Sequence, residues 1–585
     1  MPLVAVQGDP WGCLWWLCIA IPGSSPRMTA GSHIVKPWWP ALSFSGIGNR
    51  RHERASRTGV TNRRHVFRPR FLLFNSYILG PWTKYDIMKR NFLKYLCFVS
   101  IIIGLVVSCT NERDEESKPN ILFILIDDLG KEWLSCYGAE DVMTPAIDEL
   151  ARSGMRFENA YSMPQCTPTR ITILTGQYPW RNGWVNHYDV PRLGHGGRFD
   201  PEVNPSFGKN LRDAGYVTCI AGKWQINDFR LEPEATANAG FDEYCMWTGG
   251  ENGGPSTKAS QLRYWDPYIH TEDGSRTYEG QFGPDIYTDF IIDFMRENKD
   301  KPMMIYFPMC LTHGPLTTTP AEPDVPREEQ HKAMVRYTDL ILQRLVETLE
   351  ELEIRDNTII VWTTDNGTGG GQIGRMNGRY VRGGKMKLTE NGVNAPFIVN
   401  CPGKVPEGVV SDALIDFTDM LPTLCELGGA EIDDHYIYDG YSFAPVILGK
   451  SEETERETIM ALGGYFAMLK NDRITSAHGF RDRVIRDKDY KAYIDTSGQI
   501  SEIIDFKSDF DETNNLINSS DEKIIAAKEK FQQVLYRLPK KDASPFYTQI
   551  NGSFYDHPAG ELNKAARNGK KAPNKSKPVS EEELQ

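Results

Sequence analysis

The sequence predicts an α/β fold: a large, mostly parallel mixed sheet sandwiched by helices, followed by a smaller C-terminal α+β subdomain. Three observations predict it. Short, continuous apolar runs end abruptly in polar loops, as strands buried on both faces do. Helix-period segments separate those runs, and such alternation builds a parallel sheet with helices on both sides. Beyond about residue 455 the pattern shortens into segments such as Tyr490–Ile494, which suit a small antiparallel sheet.

The first run is Asn120–Ile126, closed by Asp127-Asp128-Leu129-Gly130. A helix follows, with Thr144 at its N-cap, Pro145 at its first position, Ile147, Leu150 and Ala151 on one face, and Gly154 as its stop. Val217–Ala221 is the next strand, ending at Gly222-Lys223-Trp224, and Met303–Phe307 is another. Leu342, Leu345, Leu349 and Leu352 mark a long helix. Thr358–Thr364 is a strand that ends in Asp365-Asn366-Gly367, and a late helix falls near residues 520–537. In open α/β sheets ligands bind beyond the carboxyl ends of the strands. The acids, amides and lysines just named sit at those ends.

The chain has 585 residues, 40% hydrophobic and 25% charged, an ordinary globular composition for one large domain with an attached subdomain. Residues 1–87 do not match the rest. They carry six of the 13 tryptophans and eleven basic against three acidic side chains, without helical or strand period. We read them as an upstream extension from a start codon assigned too early, in preference to a basic arm for nucleic acid. From Met88 the chain reads as an export signal over 88–108: Lys89, Arg90 and Lys94, then the short apolar stretch Leu96–Val107. Val106-Val107-Ser108-Cys109 resembles the lipobox of bacterial lipoproteins, which implies a lipid-modified Cys109, anchorage to a membrane of the bacterial envelope, and a polar tether over 109–118. The two folded parts are expected at 119–455 and 456–558, with a polar tail at 559–585. Without residues 1–87 the formal charge moves from −12 to about −20, which argues against nucleic acid as a partner. The eleven cysteines include no CxxC pair, so neither a zinc site nor a dense disulfide framework is indicated, although one or two disulfides suit an oxidising compartment.

Asp127-Asp128 and Asp365-Asn366 offer three carboxylates and an amide oxygen at strand ends. Such an all-oxygen set suits Ca²⁺, or Mg²⁺, better than zinc. The segment with the most specific pattern is Cys166-Thr167-Pro168-Thr169-Arg170, continued by Ile171-Thr172-Ile173-Leu174-Thr175-Gly176. It resembles the Cys-x-Pro-x-Arg core of the type I, formylglycine-dependent sulfatases, members of the alkaline-phosphatase-like superfamily. The resemblance extends over roughly residues 119–540, including Asp505–Leu516.

That resemblance implies specific roles. Cys166 would be oxidised to formylglycine by a maturation enzyme, and its hydrate would attack sulfur to give a covalent sulfated intermediate. Its second hydroxyl would then expel sulfate by collapsing to the aldehyde. Asp127, Asp128, Asp365, Asn366 and residue 166 would hold the metal. Arg170, Lys223 of Gly222-Lys223-Trp224 and Lys385 of Gly383-Gly384-Lys385 would neutralise the sulfate, the largest catalytic contribution in reactions of this kind. His313 of Leu311-Thr312-His313-Gly314-Pro315 would protonate the leaving oxygen. Gln225 stands where the family commonly has a histidine beside the formylglycine; an amide can hydrogen-bond there but not act as acid or base near neutral pH. Thr312 and Asn391 also depart from the usual Pro and Gly. A sulfated carbohydrate is the expected substrate, the loops near 180–205 and 228–285 carrying Trp, Tyr and Arg suited to sugar rings. Two other readings exist: a phosphonate or phosphate monoester hydrolase of the same superfamily, and a non-catalytic protein that binds sulfated glycans with Cys166 left as a thiol.

Overall fold

Every side chain of Asn120–Ile126 (β1) is buried, and the strand has two faces to cover. Ile121, Phe123 and Leu125 pack into one apolar core, while Leu122, Ile124 and Ile126 pack into another on the opposite side of the sheet. This is the two-residue period of a strand read in three dimensions. The structure, a computed structural model, describes residues 88–96, 98–99, 118–184, 198–229, 232–247, 262–463, 467–470, 473–476, 478–543, 575 and 577–583. The chain divides into two units, Met1–Gly104 and Leu105–Gln585. In the first, residues 88–96 are helical; residues 1–87, Cys109 and the tether up to residue 117 lie outside the described residues. No described helix is long and apolar enough to cross a membrane.

In the second unit β1 is joined in sequence by β2 (Met155–Tyr161), β3 (Val217–Lys223), β4 (Glu243–Trp247), β5 (Tyr268–Thr271), β6 (Gly274–Thr277), β7 (Met303–Pro308) and β8 (Thr358–Thr364). A hairpin of β9 (Ile373–Met376) and β10 (Arg379–Arg382) precedes β11 (Phe397–Asn400) and β12 (Val409–Asp416). The ten-stranded sheet runs β12-β2-β11-β8-β1-β7-β3-β4-β5-β6. Its centre is parallel, β8-β1-β7-β3-β4, while β11 and the β5-β6 edge are antiparallel. Helices cover both faces. Those on one side are α1 (Pro145–Arg152), α4 (Gly283–Asn298) and α5 (Gln330–Glu351); on the other are α2 (Cys166–Thr175), α3 (Phe207–Asp213) and α6 (Met420–Gly428). The expected fold is therefore present, with strand ends within two residues of those read from the sequence. Thr144 holds the N-cap position of α1, but its hydroxyl makes no capping bond and meets Asp148 Oδ1 at 3.2 Å instead. Among the described residues no disulfide forms: all seven of their cysteines are free thiols.

The C-terminal subdomain is an antiparallel sheet, β13-β16-β17-β18, with a short hairpin β14-β15 and a helix α7 (Glu522–Arg537). Its strands are β13 (Ile459–Leu462), β14 (Ala467–Lys470), β15 (Arg473–Ser476), β16 (Arg483–Arg486), β17 (Lys491–Ile494) and β18 (Ile500–Ile504). Ile524, Ala527, Phe531 and Leu535 of α7 join a third core with Tyr161, Leu388 and Val393 of the main unit. Beside that core lies a buried ion network. Lys491 Nζ sits 3.0 Å from Glu390 Oε1 and 3.1 Å from Glu512 Oε2, and Tyr161 Oη donates to Glu390. Burial pushes the Glu390 carboxyl up, but Arg486 and Lys491 outweigh it and hold it at about 2.

Lys491→Met therefore leaves two buried carboxylates without their shared cation, and we expect a loss of about 3–5 kcal/mol. Because the Glu390 carboxyl is lowered on folding, its contribution is present above its ordinary 4.5 and is lost as the pH falls toward 2. Urea unfolding across that window should show a steeper acid loss for the wild type than for Lys491→Met.

Candidate active site

The carboxyl ends of β1, β8, β3 and β7 converge, and each delivers polar side chains to one buried point. β1 runs out into Asp127 and Asp128, and β8 into Asp365 and Asn366, all four buried. The two turns are tied together: Asp128 N donates to Asp365 Oδ1 at 3.1 Å, and Asn366 Nδ2 to Asp128 Oδ1 at 2.8 Å. β3 ends in Lys223, preceded by Gly222 at φ +121°, where an added Cβ would lie 2.2 Å from Pro308 O. Glycine there lets β3 pass close to β7. Helix α2 begins at Cys166 and is buried over its whole length, and that first side chain brings its N-terminus up to the Asp127 and Asp365 carboxylates. That end of a helix favours negative charge.

Cations and carboxylates alternate at this point. Lys223 Nζ bonds Asp127 Oδ2 at 2.6 Å, and Lys385 Nζ bonds Asp128 Oδ2 at 2.7 Å. Arg170 donates from Nε and Nη2 to Asp365 Oδ2 at 3.1 and 2.7 Å, and from Nη1 to Lys223 O at 3.1 Å. Sγ of Cys166 lies within 4.8 Å of carboxylate oxygens of Asp127 and Asp365, and those two lie equally near each other. Asp127, Asp128 and His313 form a second such group. Gln225 Oε1 is 3.5 Å from Cys166 Sγ, held by a left-handed backbone at φ 54°; Asp128 shares that conformation at φ 62°. Two strained non-glycine residues in one site fit its being built for function. Every candidate residue read from the sequence is thus brought together, Cys109 alone lying outside the described residues.

The donor set fits a hard cation. Asp127 Oδ1 and Asn366 Oδ1 are buried with no hydrogen-bond partner, and unpartnered buried oxygens of this kind are costly unless something binds them. Burial pushes the Asp365 carboxyl up to about 7, and Asp127 beside it adds to the rise against Arg170 and Lys223. Three carboxylates crowd the point, and a divalent cation would relieve that crowding.

Some contacts could not be read from the sequence. Arg263, on the segment before β5, brings Nη1 to 3.1 Å from His313 Nδ1 and stacks 4.0 Å over Trp247. Guanidinium only donates, so in that contact Nδ1 accepts and Nε2, 3.7 Å from Asp128 Oδ2, carries the proton. Gly314 O also lies 2.6 Å from Nδ1, which the other tautomer would serve. Tyr264 Oη donates to Cys310 O at 2.7 Å, pinning the same loop. Burial drives His313 down to about 4 against the pull of Asp127 and Asp128, so its ring is neutral at neutral pH. Fifty residues separate Arg263 from His313, and no spacing signal links them.

Residues 119–430 match the profile of the sulfatase family, which is more than half of the chain. The chain belongs to the sulfatase family. Residues 383–541 of this sulfatase also match the C-terminal part of N-sulphoglucosamine sulphohydrolase. The dog (Canis lupus familiaris) N-acetylgalactosamine-6-sulfatase is 31% identical over 384 residues, covering 60% of this chain and 71% of the relative. Steryl-sulfatase of Rattus norvegicus is 28% identical, covering 58% and 72%. Among solved structures, the sulfatase PsFucS1 from Pseudoalteromonas sp. aligns with TM-score 0.56 at 24% identity, over 72% of this chain and 91% of that one. BT4656, in complex with its substrate D-glucosamine-2-N,6-O-disulfate, aligns with TM-score 0.55 at 21% identity, over 79% and 100%. The structural likenesses carry the fold; the sequence matches carry the family, and with it sulfate-ester hydrolysis.

Proposed function

We propose that this sulfatase works through a formylglycine made from Cys166, holds Ca²⁺ (or Mg²⁺) on Asp127, Asp128, Asp365 and Asn366, and removes sulfate from a carbohydrate. The observation that carries this is the placing of Cys166: first residue of a buried helix, Sγ within reach of two carboxylates, and Lys223, Lys385 and Arg170 around it. Names among the relatives and neighbours, an N-acetylgalactosamine-6-sulfatase and a structure with a glucosamine disulfate, support a sugar sulfate. The exported, lipid-anchored location rests on Val106-Val107-Ser108-Cys109, which implies a membrane as partner, while Cys166-Thr167-Pro168-Thr169-Arg170 implies the maturation enzyme.

The residues divide the work by charge. Sulfate esters repel nucleophiles because their oxygens are negative; Lys223 and Lys385 would neutralise those oxygens, and Arg170 would keep Asp365 oriented. A bound cation would supply Lewis acidity and polarise the attacking hydroxyl. A formylglycine hydrate would supply one hydroxyl to attack and a second for release. His313 is neutral in the free site, and an anionic ester beside it favours the imidazolium that can protonate the leaving oxygen. Gln225 would hydrogen-bond residue 166 without exchanging a proton with it.

The test is mass spectrometry of the tryptic peptide Phe157–Arg170 after coexpression with a formylglycine-generating enzyme. The expected result is the mass loss of thiol replaced by aldehyde, together with sulfate release from sulfated amino sugars in preference to steryl or aryl sulfates. A peptide that stays wholly thiol, beside a converted control sulfatase, would defeat the proposal.

A further inference from the structure

Beside the carboxylates lies a contact that touches none of their oxygens. Gly130 follows Asp128 by two residues, and Thr368 follows Asn366 by two. Gly130 N donates to Thr368 Oγ1 at 2.8 Å, and Thr368 Oγ1 donates to Glu132 Oε1 at 2.6 Å. A hydroxyl has one proton, so accepting from Gly130 fixes the direction of its own donation toward Glu132. All of this is out of water: Thr368 is 0% and Glu132 2% exposed. The Glu132 carboxylate lies over Gly130, where an added Cβ would come 2.2 Å from Oε2. Gly374 of β9 closes the other side, its Cβ position 2.9 Å from Glu132 O.

We infer that Glu132 and Thr368 are positioning residues that clamp the Asp127-Asp128 turn to the Asp365-Asn366 turn and so set the sulfatase's affinity for its divalent cation. The inference rests on the metal centre proposed above. The two turns leave paired strands 238 residues apart in sequence, and two of the side-chain bonds between them use ligand oxygens or the Asn366 amide, close to where a cation would sit. Beyond the backbone bond from Asp365 N to Ile126 O at 2.9 Å, where the strands end, the Gly130–Thr368–Glu132 chain joins the far sides of the turns through atoms that a cation does not need. It can therefore hold the carboxylates in register before and after binding. Groups that orient metal ligands from behind alter metal affinity by about 10- to 100-fold when removed. Glu132 acts here as a hydrogen-bond acceptor, so an amide oxygen should replace it, and serine should replace threonine.

The experiment is calorimetric titration of Ca²⁺ into metal-stripped wild type and into Thr368→Val, Thr368→Ser, Glu132→Leu and Glu132→Gln, each checked for folding by circular dichroism. Expected are dissociation constants raised about 10- to 100-fold in Thr368→Val and Glu132→Leu, and within about threefold of wild type in Thr368→Ser and Glu132→Gln. Should either disruptive variant be unfolded, the conservative variant at that position still tests the acceptor role. The clamp is overturned if Thr368→Val and Glu132→Leu, folded, bind like the wild type, or if Glu132→Gln loses as much affinity as Glu132→Leu. A wild type that binds no divalent cation would instead overturn the metal-centre reading itself, with the clamp falling as its consequence.

Discussion

Cys166→Ala should abolish turnover, lowering kcat/KM on a sugar sulfate by on the order of 10⁵- to 10⁶-fold, the size of effect seen when a covalent nucleophile is removed. Folding should change little, by about 1 kcal/mol, since a small buried side chain is exchanged for a smaller one. Cys166→Ser sharpens the prediction. A serine hydroxyl at the head of α2 still faces Lys223, Lys385 and the carboxylates, so it can attack once. It has no second hydroxyl through which sulfate can be expelled, and a stoichiometric burst followed by arrest is expected in a single-turnover assay. Steady turnover by Cys166→Ser would show that hydrolysis at sulfur by water suffices and that an aldehyde is not needed.

Much of the fold was legible because its signal is local. A strand buried on both faces must be apolar at every position, so Asn120–Ile126 and Thr358–Thr364 could be bounded to the residue. The candidate site was legible for a related reason: its residues cluster in short segments at strand ends, where the chain has to turn. Partnerships between distant segments were not. Glu132 and Thr368, the Arg263 partner of His313, and the Lys491 partner of Glu390 and Glu512 read in sequence as ordinary surface charges and loop residues. Only the fold removes water from around them and makes their pairing obligatory. The hairpin β9-β10 is a different case. Asn377-Gly378, both left-handed at φ 50° and 76°, is a strong two-residue hairpin turn, and the signal stands in the sequence between strands only four residues long. Runs that short carry too little period to be noticed beside the glycine-rich segment Gly367–Gly371 that precedes them.

Arg170→Lys should be nearly as damaging as a loss of the guanidinium altogether. Arg170 is 1% exposed and spends three donors on two partners: Nε and Nη2 on Asp365 Oδ2, Nη1 on Lys223 O. The planar fork fixes the Asp365 carboxylate and the end of β3 relative to each other. An ammonium on a flexible stem can satisfy one of these contacts but not all. We expect kcat/KM to fall by about 10²- to 10³-fold in Arg170→Lys, the cost of losing preorganised charge at a reacting centre. Arg170→Met should add a stability loss of about 3–5 kcal/mol, because a buried carboxylate is left without its partner. Burial and Asp127 already push the Asp365 carboxyl up to about 7 with Arg170 in place. Without Arg170 that carboxyl rises further, and folding then favours the protonated form. Stability of Arg170→Met should accordingly decline with rising pH through neutrality more steeply than the wild type's. Added Ca²⁺ should restore part of that stability by supplying the missing positive charge. Thermal melts of Arg170→Met across that pH range, with and without the cation, measure both effects. A melting temperature that ignores both pH and Ca²⁺ would mean that Arg170 and Asp365 pair for packing alone.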